Sequence, residues 1–174
     1  MGGLMDLRAR NYRPIKRMPY TRREYIGGVP GLRIVKFTMG NPNREYEYLV
    51  ELLNLKDAQI RHNALEAARL AANRYLEKNL GRDNYLLQIV PYPHHILREK
   101  RRLAVAQADR FQDGMRRPYG KPAGTAARVR RGQRLMIVKV DGDSVNIAKE
   151  ALRRASAKFP TPCRIRITPL STAH

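Results

Sequence analysis

The sequence predicts an α+β fold: a mainly antiparallel sheet packed against two amphipathic helices, with an extended basic N-terminal arm and a long internal loop. Three observations predict it. Residues 63–79 and 144–158 carry apolar side chains at helical spacing, and short stretches of strand-like pattern alternate with them. The charge is also uneven. Of the net +20 on 174 residues, 1–40 carries +7, 41–90 nets zero, 91–134 carries +9 and 135–174 carries +4. The neutral segment reads as packed scaffold and its basic flanks as partner-facing. The whole of 1–174 is read as one domain, with an arm at 1–31, a body at 32–98 and 114–174, and a loop at 99–113.

In chain order, the arm carries Pro14, Pro19 and Pro30, the pair Arg22-Arg23, and no helical periodicity. Tyr12, Tyr20 and Tyr25 sit among its bases. Such tyrosines suit stacking on bases or ribose, and equally suit anchoring the arm to its own body. Strands are expected at 33–38 and 46–53, the second with Tyr48, Val50 and Leu52 alternating with Glu47, Leu49 and Glu51. The helix over 63–79 turns Leu65, Ala68, Ala72 and Leu76 inward. Asn63 is its expected N-cap, with Glu66 three residues on, and Gly81 suits its C-terminal end. Alanines at 64, 67, 68, 71 and 72 let it lie close to a sheet. A buried strand follows at 85–90 and ends at Pro91.

Between 95 and 124 little periodicity survives, and a stretch that long reads as functional rather than ornamental. Strands at 125–131 and 135–140, joined by Arg131-Gly132-Gln133-Arg134, read as a hairpin. Asp141-Gly142-Asp143 turns the chain into the helix over 144–158, with Val145, Ala148, Leu152 and Ala155 inward and Pro160 as its stop. A strand at 163–168 closes the body.

Self-repulsion at +20 opposes the compact state unless a polyanion neutralises it, and nucleic acid is the usual neutraliser. Arg outnumbers Lys 26 to 9, and guanidinium forks suit shaped RNA contacts. Catalytic constellations are missing. Gly114, Gly120 and Lys121 imitate a phosphate loop, but the glycines are six apart and Pro122 forbids the helix start that loop needs. His94-His95 points its two rings in different directions, and His62 and His174 lie far off, so no metal and no cofactor is expected. The lone Cys163 excludes an internal disulfide. It reads as a small core residue, although Arg164 and Arg166 beside it are able to lower its pKa. No secretory signal and no apolar run of 18 is seen, which points to a cytoplasmic protein away from membranes, and no homo-oligomer is expected. The sequence therefore reads as an RNA-binding protein and not an enzyme.

Several stretches carry a family resemblance: Ala9-Arg10-Asn11-Tyr12-Arg13, Pro19-Tyr20-Thr21-Arg22-Arg23-Glu24-Tyr25 and Gly28-Val29-Pro30 in the arm, then Met39-Gly40-Asn41 and the run from Gln59 to Arg69. Pro93-His94-His95-Ile96-Leu97-Arg98, Ala108-Asp109-Arg110, Gly114-Met115-Arg116 and the run from Gly120 to Val129 continue it in order. The chain resembles the universal large-subunit ribosomal protein sixteen family, in its archaeal and eukaryotic (ten-e) branch. The resemblance implies a structural role in translation, on large-subunit (23S-type) ribosomal RNA below the central protuberance, with weaker contact to 5S RNA. It also implies contacts with neighbouring ribosomal proteins and with the A- and P-site tRNAs. The internal loop would reach toward the peptidyl-transferase centre, carrying Lys100, Arg101, Arg102 and Arg110. Gln107, Pro118-Tyr119 and the extra bases Arg101-Arg102 depart from the family pattern there.

The bases expected on ribosomal RNA are Arg8, Arg10, Arg13, Lys16, Arg17, Arg22 and Arg23 in the arm, then Arg61, His94, His95 and Arg98. Arg116, Arg117, Lys121, Arg128, Arg130 and Arg131 complete the set, and alternation places Arg128 and Arg130 on the strand face away from Ala127 and Val129.

Overall fold

The computed structural model describes residues 15–99 and 120–170. Ten elements follow one another: β1 (Thr38–Gly40), β2 (Tyr48–Asn54), β3 (Ala58–Arg61), α1 (His62–Leu80), β4 (Leu86–Ile89), β5 (His95–Glu99), β6 (Lys121–Val129), β7 (Arg134–Val140), α2 (Val145–Ser156) and β8 (Cys163–Pro169). The strands form two antiparallel sheets, a five-stranded one ordered β1-β4-β7-β2-β8 and a three-stranded one ordered β3-β6-β5.

Both helices cover the sheets, as the periodicity predicts. Leu65, Ala68, Ala72 and Leu76 of α1 are buried, as are Ala148, Ala151, Leu152 and Ala155 of α2. They share one core with Val50, Leu52, Leu87, Met136 and Val138 of the larger sheet and Ile60, Ala127 and Val129 of the smaller. The alanines keep the helices close, so the two sheets are bridged by a single apolar layer. Tyr85 is buried there with its hydroxyl donating to Asn73 Oδ1 at 2.8 Å, which satisfies the one polar atom it carries inward. Among the described residues no helix is long and apolar enough to cross a membrane.

Four local expectations are corrected. Residues 125–140 are not a hairpin: β6 is paired on both edges, by β3 and β5, and β7 likewise by β2 and β4, so neither has an edge for the other. The turn between them instead crosses from one sheet to the other, clasped at Asn54, whose carbonyl accepts from Gly132 N–H (2.7 Å) and whose N–H donates to the Gln133 carbonyl (2.9 Å). The strand expected at 33–38 starts only at Thr38, because the Arg33 N–H donates to His62 Nδ1 (3.0 Å) rather than to a ladder. Asn63 is not the N-cap of α1. Residues 58–61, unassigned in the sequence, pair with β6, and the end of that ladder puts Arg61 at the cap, while Glu66 pairs with Arg69. Gly81 does end the helix, at φ 78° with its N–H on the Glu77 carbonyl. Lastly, the aperiodic stretch 95–124 holds β5 and the start of β6 at its two ends. The loop from 100, with the departures at Gln107 and Pro118-Tyr119, lies outside the described residues, as does Tyr12.

Candidate RNA interface

The three-stranded sheet assembles the site. Its inner face sends Ile60, Ala127 and Val129 into the core. Because strand side chains alternate, their neighbours must point the other way. Register pairs Gln59 with Arg128, Arg61 with Ala126, and Ala126 with His95. After the irregularity between Leu97 and Arg98, Arg98 pairs with Pro122. Arg61, Arg98 and Arg128, distant in sequence, thus share one outer face, with small residues between them on the central strand.

The arm is laid on this face. The Tyr20 N–H donates to His95 Nδ1 (2.9 Å), and the Tyr20 carbonyl accepts from Ile96 N–H (2.8 Å), so the arm adds a short length of backbone to the outer edge of β5. The Tyr20 ring stacks on the His95 imidazole, centroids 5.7 Å apart, and the Arg98 guanidinium lies 5.1 Å from the same ring. Arg128 donates through Nη1 to the Arg17 carbonyl. Tyr20 therefore takes the anchoring alternative, whereas Tyr25 is exposed with Arg22 5.0 Å from its ring centroid. His95, which accepts the Tyr20 N–H at Nδ1, is buried. Its ring is committed to the arm.

The Nε–H groups of Arg61 and Arg98 are shut off from solvent with no acceptor among the described residues. A guanidinium carries further N–H donors on its Nη atoms, and that chemistry suits an anionic oxygen. Arg130 and Arg131 lie exposed just beyond β6, their backbone N–H groups held by Gln133 Oε1 (3.0 Å) and Asp57 Oδ1 (2.8 Å). Lys121 opens β6 opposite Glu99. Lys16, Arg17, Arg22 and Arg23 are exposed along the arm, and exposed His94 tilts over Tyr92, centroids 4.5 Å apart. Arg8, Arg10, Arg13, Arg116, Arg117, Lys100, Arg101, Arg102 and Arg110 lie outside the described residues.

Below this face His62, buried at the start of α1, has its pKa lowered, by burial first and then by the Arg61 and Arg33 charges. It stays neutral and accepts the Arg33 N–H. Among the described residues no cluster of three metal-ligating side chains occurs. Cys163 is half-buried against the core, and burial pushes its thiol up, not down as the adjacent arginines suggested. Sequence reasoning passed over Glu51, which is 1% exposed with Arg134 Nη1 at 3.3 Å and Arg166 Nε at 2.7 Å. Their alternation on β7 and β8 was the available signal.

Comparison with known proteins adds a family. A family model described as ribosomal protein L16p/L10e matches residues 15–166. A large ribosomal subunit protein uL16 from Staphylothermus marinus is 56% identical over 167 residues, covering 95% of this chain and 96% of the relative. Its namesake from Sulfolobus acidocaldarius is 49% identical over 170 residues (96% and 97%), and that from Methanococcus maripaludis 49% over 160 (92% of each).

Proposed function

This chain belongs to the ribosomal protein L16p/L10e family, and from that membership we propose that it docks on large-subunit RNA through the arginine-bearing face of its three-stranded sheet. The family is a structural, non-enzymatic part of the large ribosomal subunit; the chain accordingly works in translation among ribosomal RNA and ribosomal proteins. One observation carries the finer reading. Arg61, Arg98 and Arg128 come from three different strands to one face. Planar guanidinium forks take the oxygens of a run of RNA phosphates in pairs.

The arm adds Lys16, Arg17, Arg22 and Arg23 beside that face, and Arg130, Arg131 and Lys121 extend it. Within one domain spanning 1–174, arm and sheet serve docking while the loop at 99–113 serves the tRNA side. The resemblance supports a seat below the central protuberance, near 5S RNA and the A- and P-site tRNAs, with the loop directed at the peptidyl-transferase centre. Fifteen residues folded into two legs reach roughly 20–25 Å, enough to touch a tRNA acceptor end from the edge of its path.

Large subunits reconstituted with variant protein separate the two roles. The Arg61→Gln, Arg98→Gln, Arg128→Gln triple should lower occupancy, and its RNA affinity should lose roughly 0.7–0.9 of log–log salt slope per phosphate contact removed. A protein shortened in the loop should keep occupancy and lose tRNA accommodation or peptidyl transfer. Unchanged occupancy in the triple variant refutes the docking face. Full transfer with the shortened loop refutes the loop's role.

A further inference from the structure

A second cationic surface lies on the helices. The C-terminal halves of α1 and α2 enclose an open cleft of about 560 Å³ whose walls carry Arg74, Lys78, Arg153, Arg154 and Lys158, with Tyr75 at its floor. None of these bases belongs to the strands or arm described above. One carboxylate adjoins them: Glu150 accepts from Arg153 Nε (2.7 Å) and Arg154 Nε (3.1 Å). Arg74, Lys78 and Lys158 are exposed and have no carboxylate partner among the described residues.

We infer that this cleft is a second ribosomal RNA site, gripping a short run of backbone phosphates. The inference rests on the ribosomal reading and extends it from the sheet to the helical layer. Helix dipoles explain part of the charge, since Lys78 stands in the last turn of α1 and Arg153 and Arg154 in that of α2. They do not explain Arg74, more than a turn before the end of α1. Nor do they explain why five cations converge on one concavity, where mutual repulsion is strongest and a polyanion relieves it most.

The chemistry of the floor favours RNA over an acidic protein segment. The Arg154 guanidinium lies 4.0 Å from the Tyr75 ring centroid, with Glu150 holding its Nε. A guanidinium seated over a ring has a second side, which suits stacking on an unpaired base. A peptide offers that side only an occasional aromatic side chain, whereas every RNA nucleotide brings a base. Glu150 is held well below the ordinary carboxylate range by its hydrogen bonds to Arg153 and then Arg154, so it remains a clamp for both arginines at neutral pH.

The test uses the full chain and protein-free large-subunit RNA. An Arg74→Gln, Lys78→Gln, Lys158→Gln variant is compared with a charge-matched Lys36→Gln, Lys56→Gln, Lys149→Gln control, all six being exposed positions. The cleft variant should lose roughly 1.4–2.7 of log–log salt slope, as two or three phosphate contacts require, with its thermal midpoint kept, and the control should lose distinctly less. An unchanged slope, or an equal loss in the control, overturns the cleft while leaving the sheet face standing. A defect seen only in assembled subunits, with naked RNA bound normally, makes a neighbouring acidic protein the occupant and overturns the RNA assignment. Failure of the intact chain to bind this RNA overturns the ribosomal RNA reading and this site with it.

Discussion

Tyr20→Ala is the sharpest probe of how the arm is held. The substitution leaves in place the Tyr20 N–H bond to His95 Nδ1 and the Ile96 N–H bond to the Tyr20 carbonyl, and removes the ring from its stack on His95 and from the Arg98 guanidinium. An aromatic pair contributes about 0.5–1.5 kcal/mol beyond area burial, and a partly exposed cation–π contact about 0.5–1 kcal/mol. The arm should therefore lose about 1–2.5 kcal/mol of its attachment, which at ~1.4 kcal/mol per tenfold is roughly a 5- to 60-fold rise in local opening. The Ile96 amide reports this directly, since it donates outward to the Tyr20 carbonyl. Native-state hydrogen exchange at Ile96 should speed up by that factor, while core amides such as Val138 stay unchanged. Equal Ile96 exchange in both proteins would refute the ring as the anchor. A rise shared by the core amides would mean that the ring supports the whole fold instead.

Three further outcomes follow from individual sites. At Gly40, φ is 91° and a Cβ would lie 2.0 Å from the Tyr85 carbonyl oxygen, so Gly40→Ala should cost at least about 1–3 kcal/mol in denaturant unfolding; Gly27→Ala, in open space, is the control, and equal midpoints would contradict the geometry. His62 is held below its ordinary 6.5, so between its native pKa and 6.5 the unfolded chain binds the proton more readily. Its contribution is full above pH 6.5 and is lost as pH falls from there, and urea midpoints between pH 8 and 5.5 should fall less in His62→Gln than in the natural chain. Cys163, raised above its ordinary 9.0 by burial, should react with a disulfide reagent more slowly in the native protein than in urea at pH 7.5; faster native reaction would contradict it.

The helices were legible because their signal is local. Leu65, Ala68, Ala72 and Leu76 fall within twelve residues, and the structure buries all four. What the sequence hid is what depends on distant partners. A short link between two strand-like stretches reads as a hairpin, yet the partners of β6 and β7 come from elsewhere in the chain. Residues 58–61 are too short and too polar to announce a strand until β6 supplies the ladder. Glu51 alternates as a solvent-facing residue should, and is covered only because Arg134 and Arg166 arrive on the neighbouring strands. The same holds for the site. The sequence offered Arg61, Arg98 and Arg128 only one by one, and alternation gave Arg128 its face. Their common surface appears only with the register of three strands. The cleft bases went unselected because Arg74 and Lys78 lie on one helix and Arg153, Arg154 and Lys158 on or just past another, far apart in sequence. Their convergence is a property of helix packing, not of composition.

The most direct measurement is a side-chain-resolving map of a large ribosomal subunit carrying this chain. The account predicts the guanidiniums of Arg61, Arg98 and Arg128 within about 2.7–3.2 Å of ribosomal RNA phosphate oxygens, with Tyr20 still stacked on His95. A map in which that sheet face meets only solvent, or is covered by another protein, would contradict it.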